Sequence, residues 1–110
     1  MRQYVIDQIR PEDQARLKVL LEAELGPPAI GGIYWLPLAA SVWTETQAAH
    51  EDCQPFYVAV DLAADRLVCE LLVRTCSRMR CECMGYATAG QRAWLIEKID
   101  DILQRLHITA

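Results

Sequence analysis

Between Phe56 and Met84 apolar and polar residues alternate with period two through three successive runs. Phe56, Val58, Val60 and Leu62 alternate with Tyr57, Ala59 and Asp61. Leu67, Cys69, Leu71 and Val73 alternate with Val68, Glu70, Leu72 and Arg74, and Met79, Cys81 and Cys83 with Arg80, Glu82 and Met84. Side chains on a strand point to opposite faces in turn, so this pattern predicts a β-meander with one buried face. Ala63–Arg66 and Cys76–Arg78 supply the turns. A four-residue first turn pairs Leu62 with Leu67, Val60 with Cys69, Val58 with Leu71 and Phe56 with Val73. A three-residue second turn pairs Val73 with Cys81 and Leu71 with Cys83. A slip of one residue in either hairpin would bury Arg or Glu, so the pattern selects the register.

Upstream, Tyr4–Ile9 reads as a first strand. Pro11-Glu12-Asp13 then opens a helix: proline suits the first helical position, and the acids complement the positive end of the dipole. Leu17, Leu20, Leu21 and Leu25 follow helical spacing, and Gly26-Pro27-Pro28 ends the run. Ile33–Leu38 is strand-like behind a Gly31-Gly32 loop, and because Pro37 cannot donate to a ladder the strand sits at a sheet edge or ends there. Thr44-Glu45-Thr46-Gln47 and Thr88-Ala89-Gly90-Gln91 both have the form of a capping box. The first starts a short helix ending near His50. The second starts a long helix to about Leu106, with Leu95, Ile96, Ile99, Ile102, Leu103 and Leu106 as its apolar stripe.

The order β-α-β-short α-β-β-β-α predicts an α+β, two-layer sandwich: an antiparallel meander sheet of four to five strands with two long helices on one face. The 110 residues fit one domain spanning the whole chain, and a globule of this size buries roughly 65% of its unfolded surface. No family resemblance carries residues over.

Composition narrows the function classes. A net charge of −4 and a pI near 5.1 argue against general nucleic-acid binding and against a polybasic membrane anchor. No apolar run approaches the roughly 18 residues a spanning helix needs. Asp7 interrupts the first apolar run where a signal peptide would continue. With an odd count of five cysteines, this leads to the expectation of a cytoplasmic protein with reduced thiols.

Four of those cysteines, Cys69, Cys76, Cys81 and Cys83, fall within fifteen residues. With His50-x2-Cys53 they offer candidate ligands for a metal: His50, Cys53, Cys76, Cys81 and Cys83. Their spacing lacks the Cys-x2-Cys knuckle of the strong zinc signatures, so the expectation is packing cysteines, with no cofactor and no metal. Cys76 stands in a turn beside Arg74 and Arg78, where cations favour a thiolate, and is the candidate reactive thiol.

The second sheet face carries Tyr57, Val68, Leu72, Met84 and Tyr86 together with charged residues. Apolar side chains rimmed by charge point to a partner, most simply a second copy across a two-fold axis. Tyr57, Tyr86, Arg74 and Arg80 also resemble a base-stacking platform, giving weak single-stranded RNA binding as an alternative. Asp61, Glu70 and Glu82 on the same face would repel phosphate. No phosphate loop, nucleophile elbow or zinc-protease helix is present. The expectation is therefore a binding or assembly protein, a homodimer, rather than an enzyme. A metal- or thiol-dependent protein built on Cys53, Cys76, Cys81 and Cys83 is the other alternative. Nothing in the sequence specifies a small-molecule ligand.

Overall fold

The structure is a computed structural model that describes residues 2–29, 31–75 and 83–109. Its elements follow the expected order. Strand β1 spans Gln3–Ile6, helix α1 Pro11–Leu25 and strand β2 Ile33–Pro37. Helix α2, Glu45–Ala49, is followed by a 3-10 turn at Glu51–Cys53. Strands β3 (Phe56–Leu62), β4 (Leu67–Glu70), β5 (Leu72–Thr75) and β6 (Gly85–Tyr86) complete the sheet, and α3 spans Ala89–Arg105. This is an α+β fold with an antiparallel sheet.

Local chemistry sets the boundaries. Pro11 opens α1, and Glu12 and Asp13 occupy its first turn. The buried Asp13 carboxylate accepts from Arg10 Nε at 3.1 Å and from Arg16 Nη1 at 3.1 Å. Gly26 ends the helix at φ 84°, a backbone conformation that side chains disfavour, and its N–H donates to Glu22. Both capping boxes form as the sequence predicts: Thr44 and Gln47 at α2, Thr88 and Gln91 at α3. The first strand is shorter than Tyr4–Ile9. Gln8 turns to φ 56°, and Ile9 leaves the strand to donate to Asp65 O at 2.8 Å.

The sheet is four strand-widths across. Among the described strands β2 pairs with β3 only, so it lies at the edge, and it also ends at Pro37. β3 pairs with β4 through its C-terminal half and with β5 through its N-terminal half. β4 and β5 are thus two halves of one strand interrupted at Leu71. On its far side β1 pairs with β4 and β6 with β5. Those two short strands meet end to end at Leu71, whose N–H donates to Arg2 O and whose carbonyl accepts from Ala87 N at 2.7 Å.

The register of the first hairpin holds at Leu62–Leu67 and Val60–Cys69, and then changes. Phe56 faces Thr75 and Tyr57 faces Arg74, so the expected Val58–Leu71 and Phe56–Val73 pairs do not form. Two extra residues are accommodated around Leu71 as a bulge. Because the insertion is even, Leu71, Val73 and Thr75 keep facing the core. The second hairpin is also longer than expected. Val73 pairs with Gly85 rather than Cys81, and Leu71 bonds to Ala87 rather than facing Cys83. Cys83 consequently stands in a turn ahead of β6 and not within a strand. The expected turn at Cys76–Arg78, and Met79, Arg80, Cys81 and Glu82, lie outside the described residues.

One sheet face meets the helices. Leu17 and Leu21 of α1 and Leu95, Ile99, Ile102 and Leu103 of α3 pack with Phe56, Val58, Val60, Leu67, Cys69 and Val73. Each fully buried large aliphatic contributes about 1.5–3 kcal/mol relative to an exposed one. Trp43 stands edge-on to Phe56 with ring centroids 5.3 Å apart and gives its Nε1–H to Leu38 O at 3.1 Å. Polar links close the rim. Tyr4 Oη donates to Asp100 at 2.6 Å, tying β1 to α3. Arg105 grips the Glu24 carboxylate with two nitrogens at 2.6 and 3.1 Å, tying α3 to the end of α1.

Candidate functional site

Two regions remain once the core is accounted for: the sheet face that is uncovered among the described residues, and a corner where α2, its following turn and the residues ahead of β6 meet.

The registers fix what the uncovered face carries. Val5 lies opposite Val68, Trp35 opposite Ala59, Tyr57 opposite Arg74 and Leu72 opposite Tyr86. Among the described residues four large apolar side chains are exposed. Three of them, Val5 at 42%, Trp35 at 37% and Tyr86 at 44%, stand on this face. Tyr57, Val68 and Leu72 are half-buried beside them. Met84 does not belong to the face, because it precedes β6 and packs against the core. Tyr34, the neighbour of Trp35, alternates inward and is buried.

Charge on this face is mixed. Asp61 lies at one end of β3, in the row of Ile33 and Val68. Arg74 lies at the other end, beside Tyr57, with Nη2 3.4 Å from the Glu70 carboxylate. Its Nε is buried and has no hydrogen-bond partner among the described residues. Arg2 sits over the Tyr86 ring at 4.8 Å, a cation–π contact at the rim. Arg80 and Glu82 lie outside the described residues.

The corner begins with the capping boxes. Each Gln at the third helical position takes the backbone N–H of its capping threonine: Thr44 N to Gln47 Oε1 at 2.9 Å, and Thr88 N to Gln91 Oε1 at 3.1 Å. Both glutamines are buried, so their NH2 groups need acceptors as well. Gln91 Nε2 donates to Val42 O at 2.9 Å and to Gln47 Oε1 at 2.8 Å. Gln47 Nε2 donates to Cys83 O at 3.1 Å. The two helix starts are thereby joined through side-chain amides, and Cys83 is fastened to the same joint. Glutamate would fill either capping box but could donate none of these bonds.

Around that joint the structure brings together three of the five candidate ligands. The imidazole nitrogen of His50 and the sulfurs of Cys53 and Cys83 all lie within 4.8 Å of one another. His50 ends α2, and Cys53 closes the 3-10 turn that follows, its N–H donating to His50 O at 3.0 Å. His50 stands at the start of that turn and Cys53 at its end, so His-x2-Cys is closed by one i to i+3 hydrogen bond that keeps the two residues close. Thr75 at the end of β5 gives its hydroxyl hydrogen to Cys53 O, and Gln54 Nε2 caps the end of α2 on Ala48 O at 3.1 Å. Cys53 and Cys83 are buried, and His50 is half-buried. Cys76, the expected reactive thiol, and Cys81 lie outside the described residues.

Cys69 behaves as the packing residue its strand position implies. It is buried among core side chains, and burial, reinforced by the neighbouring Glu70 charge, pushes its thiol up to about 12. A thiol so placed is inert.

Sequence reasoning recognised His50-x2-Cys53 and Cys83 but placed Cys83 within a strand, away from them. The missed signal is the identity of the capping residues: two buried amides where carboxylates would serve the helix equally well. Trp35 lies in the strand-like Ile33–Leu38 run, whose pattern alone does not say which of its faces is buried. Its alternation with Tyr34 and Leu36 settles the side once β2 is paired with β3. The chain matches no protein family, no curated protein and no solved structure.

Proposed function

We propose that this protein is an assembly module that pairs with a second copy of itself through the uncovered sheet face, in a reducing compartment such as the cytoplasm. The observation that carries the reading is that Val5, Trp35 and Tyr86 are exposed on one side of the sheet, at its two edges, with the half-buried Tyr57, Val68 and Leu72 between them. Exposed large apolar residues scattered singly are ordinary, whereas a group on one flat face favours a partner. The inert, buried Cys69 thiol and the odd cysteine count support the compartment.

Charge favours a like copy over other occupants. A two-fold axis near Ala59, at the middle of β3, reverses the strand direction. It lays the Ile33–Asp61–Val68 row of one copy over the Pro37–Tyr57–Arg74 row of the other. Asp61 and Tyr57 are four residues apart, about 14 Å along the strand, so Asp61 of each copy lies over the partner's Tyr57, one strand away from its Arg74, at both ends. Four strand-widths by seven residues give a footprint of about 450 Å² per copy, or about 900 Å² in all. That lies below the usual range for stable pairs, so the aromatic anchors must carry the affinity, and micromolar association is expected. A nucleic acid fits less well, since Asp61 and Glu70 oppose phosphate.

Sedimentation velocity from about 1 to 500 µM tests the reading, a range that brackets micromolar affinity. A monomer–dimer equilibrium is expected in the unmodified chain. Asp61→Arg should weaken it, and Asp61→Arg combined with Arg74→Asp should restore it. A monomer throughout, or a dimer indifferent to Trp35→Glu, would overturn the proposal.

A further inference from the structure

We propose that His50, Cys53 and Cys83 form a binding site for a divalent cation of the zinc type, independent of the sheet face. Three points no more than 4.8 Å apart share a centre at most about 2.8 Å from each. Zinc holds sulfur at about 2.3 Å and imidazole nitrogen at about 2.0–2.1 Å, so closing the site takes inward movements of at most roughly 0.5–0.8 Å. Rotation of two cysteine side chains and one imidazole covers that distance without moving the backbone.

The backbone is in any case held from outside the site. Gln47 fixes Cys83 through its carbonyl, Thr75 fixes Cys53 through its carbonyl, and α2 fixes His50, whose N–H donates to Gln47 O and Thr46 O at 3.2 Å. Gln47 precedes His50 by three residues, so one short helix both supplies a ligand and grips the strand-side cysteine. Outer partners of this kind orient ligands and raise metal affinity.

Charge and softness select the ion. Two thiolates and a neutral imidazole around a divalent cation sum to zero, which a buried corner tolerates. The same set around a monovalent cation leaves one net negative charge, which burial penalises. Thiolate and imidazole donors suit zinc and exclude magnesium and calcium, which take oxygen. Binding requires both thiols to lose their protons, so affinity falls with acid. A groove of about 220 Å³ lies beside Cys83, bordered by Gln47, Met84, Tyr86 and Thr88. Three protein donors among the described residues leave the fourth position of a tetrahedron to water or to another donor.

The test uses the full chain purified without a metal-binding tag, stripped with chelator under reducing conditions. Titration with Co2+ should give one equivalent bound, with the intense visible bands of a tetrahedral ion and thiolate-to-cobalt charge transfer. Zn2+ should bleach both. Cys53→Ser, Cys83→Ser and His50→Ala should each weaken Co2+ binding at least tenfold, whereas Cys69→Ala should leave it unchanged. X-ray absorption of the zinc-loaded, unmutated chain guards against variants that fail to fold: at least two sulfurs at about 2.3 Å with imidazole scattering are expected. Fewer than two sulfurs, no stoichiometric binding, or binding indifferent to the Cys53 and Cys83 changes in folded variants would overturn the proposal.

Discussion

Replacing Gln91 by glutamate tests the buried amide joint, because the substitution preserves shape and capping while turning the donor into a charged acceptor. The Gln91 side chain is 1% exposed. Its Oε1 accepts from Thr88, a role a carboxylate performs equally well. Its Nε2 makes two donations, to Val42 O and to Gln47 Oε1, and a carboxylate oxygen there faces two acceptors instead. Each lost hydrogen bond costs about 1 kcal/mol, and an uncompensated buried charge raises the total to about 3–5 kcal/mol at pH 7. That is a large share of the 5–15 kcal/mol typical of a domain. Urea unfolding followed by tryptophan fluorescence should show the midpoint falling by roughly 2 M, for a slope near 2 kcal/mol/M. The pH dependence is diagnostic. Burial raises the folded-state value of the new carboxyl above its unfolded value of about 4.3. A raised acid costs least below the unfolded value and most above the folded one, so the deficit should grow as pH rises from 4 to 7. A protonated carboxyl also regains one donor. A deficit below about 1 kcal/mol at pH 7, or one that does not change with pH, would refute the role assigned to the joint.

Two further predictions concern titrating groups. Tyr4 is held up to about 12 by its hydrogen bond to Asp100, then by burial and by that carboxylate's charge. An acid raised in the folded state stabilises below its unfolded value and loses that contribution as pH climbs to the folded one, so stability should fall between about pH 10 and 12. Tyrosinate absorbance should show a late phase near 12, lost in Tyr4→Phe; Tyr4 titrating near 10 would contradict it. Cys69 should resist iodoacetamide at pH 8 in the folded chain and react only after denaturation, by peptide mapping; native modification at the rate of a small-molecule thiol would show that it is not buried.

Much of this fold could be read from local pattern. Period-two alternation located β3, β4 and β5, helical spacing located α1 and α3, and Thr-x-x-Gln located the starts of α2 and α3. Pro37 marked β2 as an edge strand or as ending there, and both hold. The bulge at Leu71 was invisible for a physical reason: inserting two residues leaves every side chain on its own face, so the alternation that selects against a one-residue slip is blind to it. The site was half legible. His50 and Cys53 come together through a local turn that spacing describes. Cys83 joins them through a hydrogen bond to Gln47, 36 residues away, and no periodicity encodes a tertiary contact of that kind.

The abutment of β6 and β1 along one edge bears on how the chain assembles in time. β3, β4 and β5 are neighbours in sequence and need only short loops to close. β1 must wait for β4, since Gln3 pairs with Glu70 across most of the intervening chain. Long-range pairing of this kind comes late in folding, after local hairpins have formed the surface it docks on. Tyr4 and Ile6 are only half-buried, so β1 is also lightly anchored once in place. The N-terminal strand is therefore the natural first segment to detach in local opening, held by one ladder and by the Tyr4–Asp100 bond, while the β3–β4–β5 nucleus stays shut.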